Sequence, residues 1–481
     1  MKAPATLSVV VAAGLISGSG CGGGDGIPSA PAPVASVTVL PAATAIPPES
    51  TLQLTATTKD FNGNVVTGRT VAWASSDTGV ARVSPTGLVT AVAAGPATMT
   101  ATSEGQSGTA AVSVVIMFAA VTAGFTHTCG LTTAGTAYCW GDNGNGELGD
   151  GTDSSRARPR AVRGGLHFAT LSAGGASLLS NGTAAGDRTC GVTPAGGAYC
   201  WGDNTAGALG TGSSSGPETC LGAQPCSTTP LAVAGGLQFA SVSVGGAHVC
   251  GVTIGGAAYC WGDNFFGQLG DGTRNQRPSP GLVSGGLTFA AVTAGLTHTC
   301  GLTPAGAAYC WGSNSSDQLG DPSASFNQTT PVAVTGGLLF ATLSAGGYFT
   351  CGATGAGAAY CWGDNFYGQL GDSTTSLRPS PVPVHGGLSF VSVTAGFTHT
   401  CGVATAGAGA GYCWGINSYG QLGAGSSNFT ETTPVAIAGG LIFASVSAGG
   451  GHTCALTTAR VAYCWGMNTG SNVPVKVAYQ P

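Results

Sequence analysis

The tetrapeptide Tyr-Cys-Trp-Gly occurs seven times in this chain, beginning at Tyr138, Tyr199, Tyr259, Tyr309, Tyr360, Tyr412 and Tyr463. Successive tyrosines lie 61, 60, 50, 51, 52 and 51 residues apart. A period of that length marks a supersecondary unit that buries its core only against copies of itself, in a closed ring or an open stack. Each copy carries a second cysteine just upstream, so Cys129 precedes Cys139 and Cys300 precedes Cys310.

Placing Cys129 directly opposite Cys139 puts Gly130 against Tyr138, Leu131 against Ala137 and Thr132 against Thr136. Thr133, Ala134 and Gly135 are then a three-residue loop, the usual type I turn closed by a left-handed glycine. Gly196, Gly256, Gly306 and Gly357 hold the same place in four other copies. The sixth copy lengthens the loop and keeps Cys401 opposite Cys413, and the seventh puts Arg460 at a position that strains a residue with a Cβ. Directly opposed residues on antiparallel strands have Cα atoms about 4.5–5.5 Å apart, within disulfide reach. Each hairpin is therefore expected to be stapled, with a contribution of at most roughly 2–3 kcal/mol per bridge. The expected pairs are Cys129–Cys139, Cys190–Cys200, Cys250–Cys260, Cys300–Cys310, Cys351–Cys361, Cys401–Cys413 and Cys454–Cys464, with Cys220–Cys226 as a local loop bridge. One hairpin face is sulfur-lined and small, while the other carries Tyr138 and Trp140, with Gly130 leaving room beside the tyrosine. Faces of that kind stack large against small.

Composition agrees with an all-β chain. Of 481 residues, 84 are glycine and only 7% are charged, which favours short strands joined by glycine turns over helices. A net charge of −5 without a basic run argues against nucleic-acid binding. Seventeen cysteines, sixteen of them in close pairs, imply an oxidising compartment.

Residues 1–20 have the form of an export signal: Lys2, an apolar run from Leu7 to Ile16, then small residues. Cys21 follows Gly18-Ser19-Gly20 and is the one cysteine without a nearby partner. The stretch resembles a bacterial lipoprotein lipobox, with Gly18 where that family prefers leucine, and the resemblance makes Cys21 the lipidated first residue of the mature chain. No other apolar run is long enough to span a bilayer. Residues 21–34, rich in Gly, Pro and Ala, are expected to be a flexible tether.

Alternating strand patterns begin at Ala35. The run Val71-Ala72-Trp73-Ala74-Ser75-Ser76-Asp77, then Val80-Ala81-Arg82-Val83, Gly87-Leu88-Val89-Thr90-Ala91 and Gly95-Pro96-Ala97-Thr98-Met99-Thr100-Ala101, resembles a bacterial Ig-like domain of group 2. The resemblance covers residues 35–115 and implies a β-sandwich spacer or adhesin module, with Trp73 as its core aromatic.

From Phe118 each unit supplies four strands: a Phe-Ala-x-Val/Leu strand, the two hairpin strands, and a Pro-x-x-Val strand before Gly-Gly-Leu. Four strands in fifty-odd residues is the unit of a β-propeller blade. The last such strand, Pro474-Val475-Lys476-Val477, is expected to complete the first blade and close a ring of seven over residues 117–481. The motifs Ala294-Gly295-Leu296-Thr297-His298-Thr299-Cys300, Tyr309-Cys310-Trp311-Gly312-Ser313-Asn314 and Gln318-Leu319-Gly320 resemble the repeats named after the regulator of chromosome condensation, which build seven-bladed propellers. The fold expected is all-β: a seven-bladed β-propeller behind an Ig-like β-sandwich.

Chemistry is sparse. Five histidines (His127, His248, His298, His399 and His452) stand two residues before a hairpin cysteine, with Arg188 and Phe349 in the other two copies. A ligand set would not tolerate those replacements, so bonding to a neighbouring blade is the expected role. Asp142-Asn143-Gly144-Asn145-Gly146-Glu147 faintly resembles a calcium loop, but its counterparts lose the acidic residue, and the Asn and Gly read as turn residues. No Ser-His-Asp set or paired carboxylates break the repeat, so neither catalysis nor a cofactor or metal is expected.

The expected function is a non-enzymatic scaffold, exported to the cell envelope as an outer-membrane lipoprotein or released, monomeric, and touching the membrane only through its lipid. Its partner is expected to be an extracellular protein, in the manner of the secreted β-lactamase inhibitory protein that the propeller resembles. A carbohydrate-binding or adhesive module is the alternative, and the family's nucleotide-exchange activity fits an exported chain poorly. After each Trp-Gly-x-Asn turn two positions vary freely, and three units place aromatics there: Phe265 and Phe266, Phe366 and Tyr367, and Tyr419. Equivalent propeller loops share a rim, so these five are the candidate contacts.

Overall fold

A computed structural model describes residues 31–175, 177–178, 184–405, 407 and 409–480. The expected export segment 1–20, Cys21 and most of the tether lie outside the described residues, as does much of the insertion at 176–187. The chain divides into two compact units.

The first unit is a β-sandwich. Ala43–Ile46, Gln106–Val114, Gly95–Ser103 and Ala72–Ser75 form one sheet, and Thr51–Gln53, Leu88–Ala91 and Ala81–Val83 another. Ser36–Leu40 pairs with Thr55–Lys59 beside them. Alternation along Gly95–Ser103 and Gln106–Val114 buries Ala97, Met99, Ala101, Ala110 and Val112, so the core is aliphatic. Trp73 departs from its expected place in that core. It is only half-buried; a Cβ on Gly87, whose φ is 81°, would meet the Leu54 carbonyl oxygen at 2.6 Å and the Trp73 ring at 2.9 Å, which is why a glycine occupies that turn.

The second unit holds seven sheets of one repeated order. The first contains Phe118–Ala123, His127–Thr132, Ala137–Gly141 and Arg156–Ala161, in sequence order from the axis outwards. The last contains Phe443–Ala448, His452–Thr457, Ala462–Gly466 and Ser471–Lys476. Only the second sheet departs, gaining a short fifth strand, Glu218–Thr219, from the insertion around Cys220–Cys226. In every hairpin the two cysteines are register partners, with Cα atoms 4.0–4.1 Å apart and the sulfurs bonded. Cys220 is bonded to Cys226. Arg460 holds φ 62° at the loop position where five other copies have glycine.

The blades stack large against small. The sulfur face of the first blade (Cys129, Leu131, Cys139) meets Phe168 and Trp201 of the second, and the arrangement continues round. The space beside each tyrosine is taken by a phenylalanine of the same blade. Phe118 lies over Gly130, where a Cβ would clash, with Trp140 5.6 Å away. At the axis the inner strands end in Ala-Gly or Val-Gly pairs, because a Cβ on Gly245, Gly295 or Gly346 would come within 2.5 Å of the next blade's carbonyl oxygen. Each inner strand also accepts a backbone N–H from the next through a Ser or Thr hydroxyl, as Ser243 accepts from Ala294 at 2.9 Å.

Ring closure differs from expectation. Ser471–Lys476 pairs with Ala462–Gly466 in the seventh blade, and the first blade is complete with its own Arg156–Ala161. No blade is shared between distant segments. The ring closes laterally: Ala123 N–H donates to Ser447 Oγ at 2.9 Å, and Cys454 and Cys464 pack on Phe118, Tyr138 and Trp140. Ile116 N–H donates to the Tyr479 carbonyl at 2.8 Å, tying the chain beyond the last strand to the chain before the first.

Candidate partner-binding face

Six of the seven Trp-Gly turns are stapled from within by an asparagine. Asn264 Oδ1 accepts the Leu269 N–H at 3.0 Å while its Nδ2 donates to the carbonyls of Thr273 and Asn275, both at 3.1 Å. Asn143, Asn204, Asn314, Asn365 and Asn417 accept from the corresponding leucines. These buried amides fix the loop. Among the described residues no cluster of three or more His, Cys, Asp or Glu is disposed to hold a metal ion.

On these frames the variable positions project outward. Phe366 is 71% exposed, Tyr419 53% and Phe265 47%, while Phe266 and Tyr367 are half-buried. Phe265 and Phe266 meet edge to face at 4.9 Å, as do Phe366 and Tyr367. Each turn bonds to the loop preceding the blade's second strand, as Asp364 N–H donates to the Tyr348 carbonyl at 3.0 Å. The turns therefore share a rim with the loops that ring the axis.

Those loops hold aromatics that the sequence reading missed. Phe125 and Phe397 meet at 5.3 Å, with Tyr348 6.3 Å from Phe397, at the mouth of a narrow axial channel of about 100 Å³. Exposed Phe326 and Phe429 stand further out, their carbonyls accepting the N–H of Asn314 and Asn417. Tyr367 bridges to Phe429 of the next blade at 6.3 Å. The available signal was the same as for the turns, namely variation between copies beside repeating neighbours.

The histidines serve the ring instead. Thr299 Oγ donates to the Gln268 carbonyl at 2.9 Å, so His248 Nε2–H donates to Thr299 Oγ at 2.8 Å. His298 and His399 reach Thr350 and Thr453 likewise, and His452 Nε2 lies 2.8 Å from Thr128 Oγ. Burial pushes His248, His298 and His399 down to about 3 and His452 to about 4, so all are neutral near pH 7. His127 reaches Thr189 in the same way at 2.8 Å, and its Nδ1 also lies 3.2 Å from Asp187. Burial alone raises the Asp187 carboxyl, but hydrogen bonds and charge from His127 and bonds from Thr126 outweigh it and hold it low. Arg188, fully buried, pairs with Asp203 at 3.0 Å and donates to the Gly246 carbonyl at 2.8 Å.

Seven laterally packed blades, each built on the same four strands, with side chains committed to packing define a β-propeller whose variable chemistry sits on its rim. The chain belongs to the RCC1-like domain family, which it matches over residues 178–476, with regulator of chromosome condensation (RCC1) repeats at 118–147 and 134–178. Residues 33–114 match the bacterial Ig-like domain (group 2). The ultraviolet-B receptor UVR8 of Arabidopsis thaliana is 29% identical over 359 residues, covering 74% of this chain and 66% of that protein. The E3 ubiquitin-protein ligase HERC2 of Homo sapiens is 30% identical over 355 residues, covering 73% of this chain and 6% of that protein. This chain thus spans less than two thirds of either relative. Human WBSCR16 shares the fold with a TM-score of 0.61 at 19% identity, covering 73% of this chain and 89% of that one. Yeast RCC1 (Prp20), solved bound to Kap60, has a TM-score of 0.57 at 20% identity, covering 69% and 78%. Both show the fold alone.

Proposed function

We propose that this protein is an exported, non-enzymatic scaffold whose propeller rim binds an extracellular protein partner. The observation that carries the reading is the set of exposed aromatics on internally stapled turns, because rigid aromatic anchors bind at little entropic cost. Phe265, Phe366 and Tyr419 are the main contacts, and Phe266 and Tyr367 support them. Eight bridges suit an oxidising compartment, and no helix among the described residues is long and apolar enough to cross a membrane. The Ig-like unit then acts as a spacer, with Cys21 carrying the lipid that holds a monomeric chain at the cell envelope. Protein partners are on record for this fold, as in yeast RCC1 bound to Kap60.

Affinity capture with the full chain, with retained proteins and glycans identified separately, tests the reading. A protein should be retained, and alanine at Phe265, Phe366 or Tyr419 should each weaken its binding about tenfold with little change in melting temperature. Retention of glycans alone would replace this reading with the adhesive one, and an equal loss of stability would make the rings core. Mass spectrometry of the mature amino terminus should find a lipidated Cys21, and an unmodified residue there removes the anchor.

A further inference from the structure

Six of the seven blade junctions are closed by the same device. After its Trp-Gly turn, the chain presents a Leu-Gly pair to the next blade, and Leu148, Leu209, Leu269, Leu319, Leu370 and Leu422 are all fully buried. The carbonyl before each leucine accepts the indole N–H of the next blade's tryptophan at 2.9–3.0 Å, from Glu147 and Trp201 round to Gln421 and Trp465. In five junctions the same carbonyl also accepts a threonine hydroxyl. The glycine after the leucine lies flat on the indole, where a Cβ would come within 2.5–2.7 Å of Nε1.

The seventh junction lacks the device. Only Met467 to Gly470 connect Ala462–Gly466 with Ser471–Lys476. Trp140, which should receive the loop, is 8% exposed where the other six repeat tryptophans are fully buried. No acceptor among the described residues reaches its indole N–H. Thr128 Oγ meets His452 Nε2 at 2.8 Å, with no loop carbonyl beside it. Where the loop would stand is a cleft of about 670 Å³, lined by Thr128, Trp140, Arg158, Cys464 and Val475 among others. That is the size of a ligand pocket and far larger than one leucine side chain.

We infer that this cleft is a recognition site for a turn of a partner polypeptide that carries a Leu-Gly pair. The six filled junctions state what it takes. A backbone carbonyl meets Trp140 Nε1 and Thr128 Oγ, a leucine enters between the sulfur face of the seventh blade and the first blade's tryptophan, and a glycine lies against the indole. The Trp140 indole N–H, which lacks the loop acceptor of its six buried counterparts, is left for such a ligand to satisfy. The site is separate from the aromatic rim positions and stands whether or not they bind a partner.

The test uses the full chain with 15N-labelled tryptophan and a cyclic peptide containing Asn-Ser-Tyr-Gly-Gln-Leu-Gly, the sequence of residues 417–423. One of the eight indole signals, assigned to Trp140 by its loss in Trp140→Phe, should shift saturably. Alanine in place of the peptide's leucine should weaken the response at least tenfold. Val475→Arg, on the exposed outer strand, should abolish the shift while the other indole signals keep their positions; it also supplies the assignment if Trp140→Phe does not fold. An unmoved Trp140 signal at millimolar peptide overturns the proposal. So does an equal response to the alanine peptide, or a general shift of several indoles.

Discussion

Glu147 stands where the equivalent loops carry Gln268, Gln318, Gln369 and Gln421, and the exchange of amide for carboxyl makes one junction sensitive to pH. One of its oxygens accepts the Asn145 N–H at 2.8 Å, as Gln268 accepts that of Phe266. The other is buried without a partner, whereas the amides of Gln268 and Gln369 donate to Asp263 and Asp364. Burial pushes Glu147 up to about 7; the charge of His127 opposes this and that of Asp187 adds to it. The folded state therefore holds this proton more tightly than the unfolded chain does. The associated stability is full below the ordinary value of 4.5 and is lost as pH rises through about 7. Glu147→Gln should remove that loss, gaining roughly 1–3 kcal/mol at pH 8 and little at pH 4.5. The neutral histidines act oppositely, losing stability as pH falls from 6.5 towards 3–4, so melts of protein and variant must be compared at each pH. A constant difference between them across pH 5–8 would contradict the assignment.

At the scale of the element, the hairpin is the most self-contained part of the molecule. Its register follows from two cysteines, one loop glycine and strict alternation, all within about a dozen residues, so it was legible in the sequence. Replacing Cys300 and Cys310 together by alanine should cost about 2–3 kcal/mol, measured by denaturant unfolding, because the staple also packs on Leu319 and Trp362. Non-reducing peptide mapping should find no bridge between different blades. The loops beyond the hairpins were less legible. Asn264 reads as a turn residue by composition, yet its amide reaches Asn275, eleven residues on, a reach that local patterns do not encode. The aromatics at Phe125, Tyr348 and Phe397 were missed for a related reason, since no single blade brings them together.

For the whole molecule, closure is the property most open to attack. Deleting Val473 to Pro481 should remove most of the seventh blade's outer strand and the Ile116–Tyr479 tie, lowering the melting temperature of the propeller by roughly 5 °C or more. An unchanged melt would mean that lateral packing of inner strands closes the ring unaided. The period, the four strands of each blade, the large and small faces and the pairing of cysteines were determined by the sequence alone, because each rests on residues close along the chain. Only the tertiary structure decided that the last strand stays in its own blade, that Trp73 lies over Gly87, and that one junction is left open. Those outcomes depend on lateral contacts between distant residues, such as Thr128 with His452, 324 positions apart, and a repeat that looks the same from every blade carries no mark of where the ring will meet.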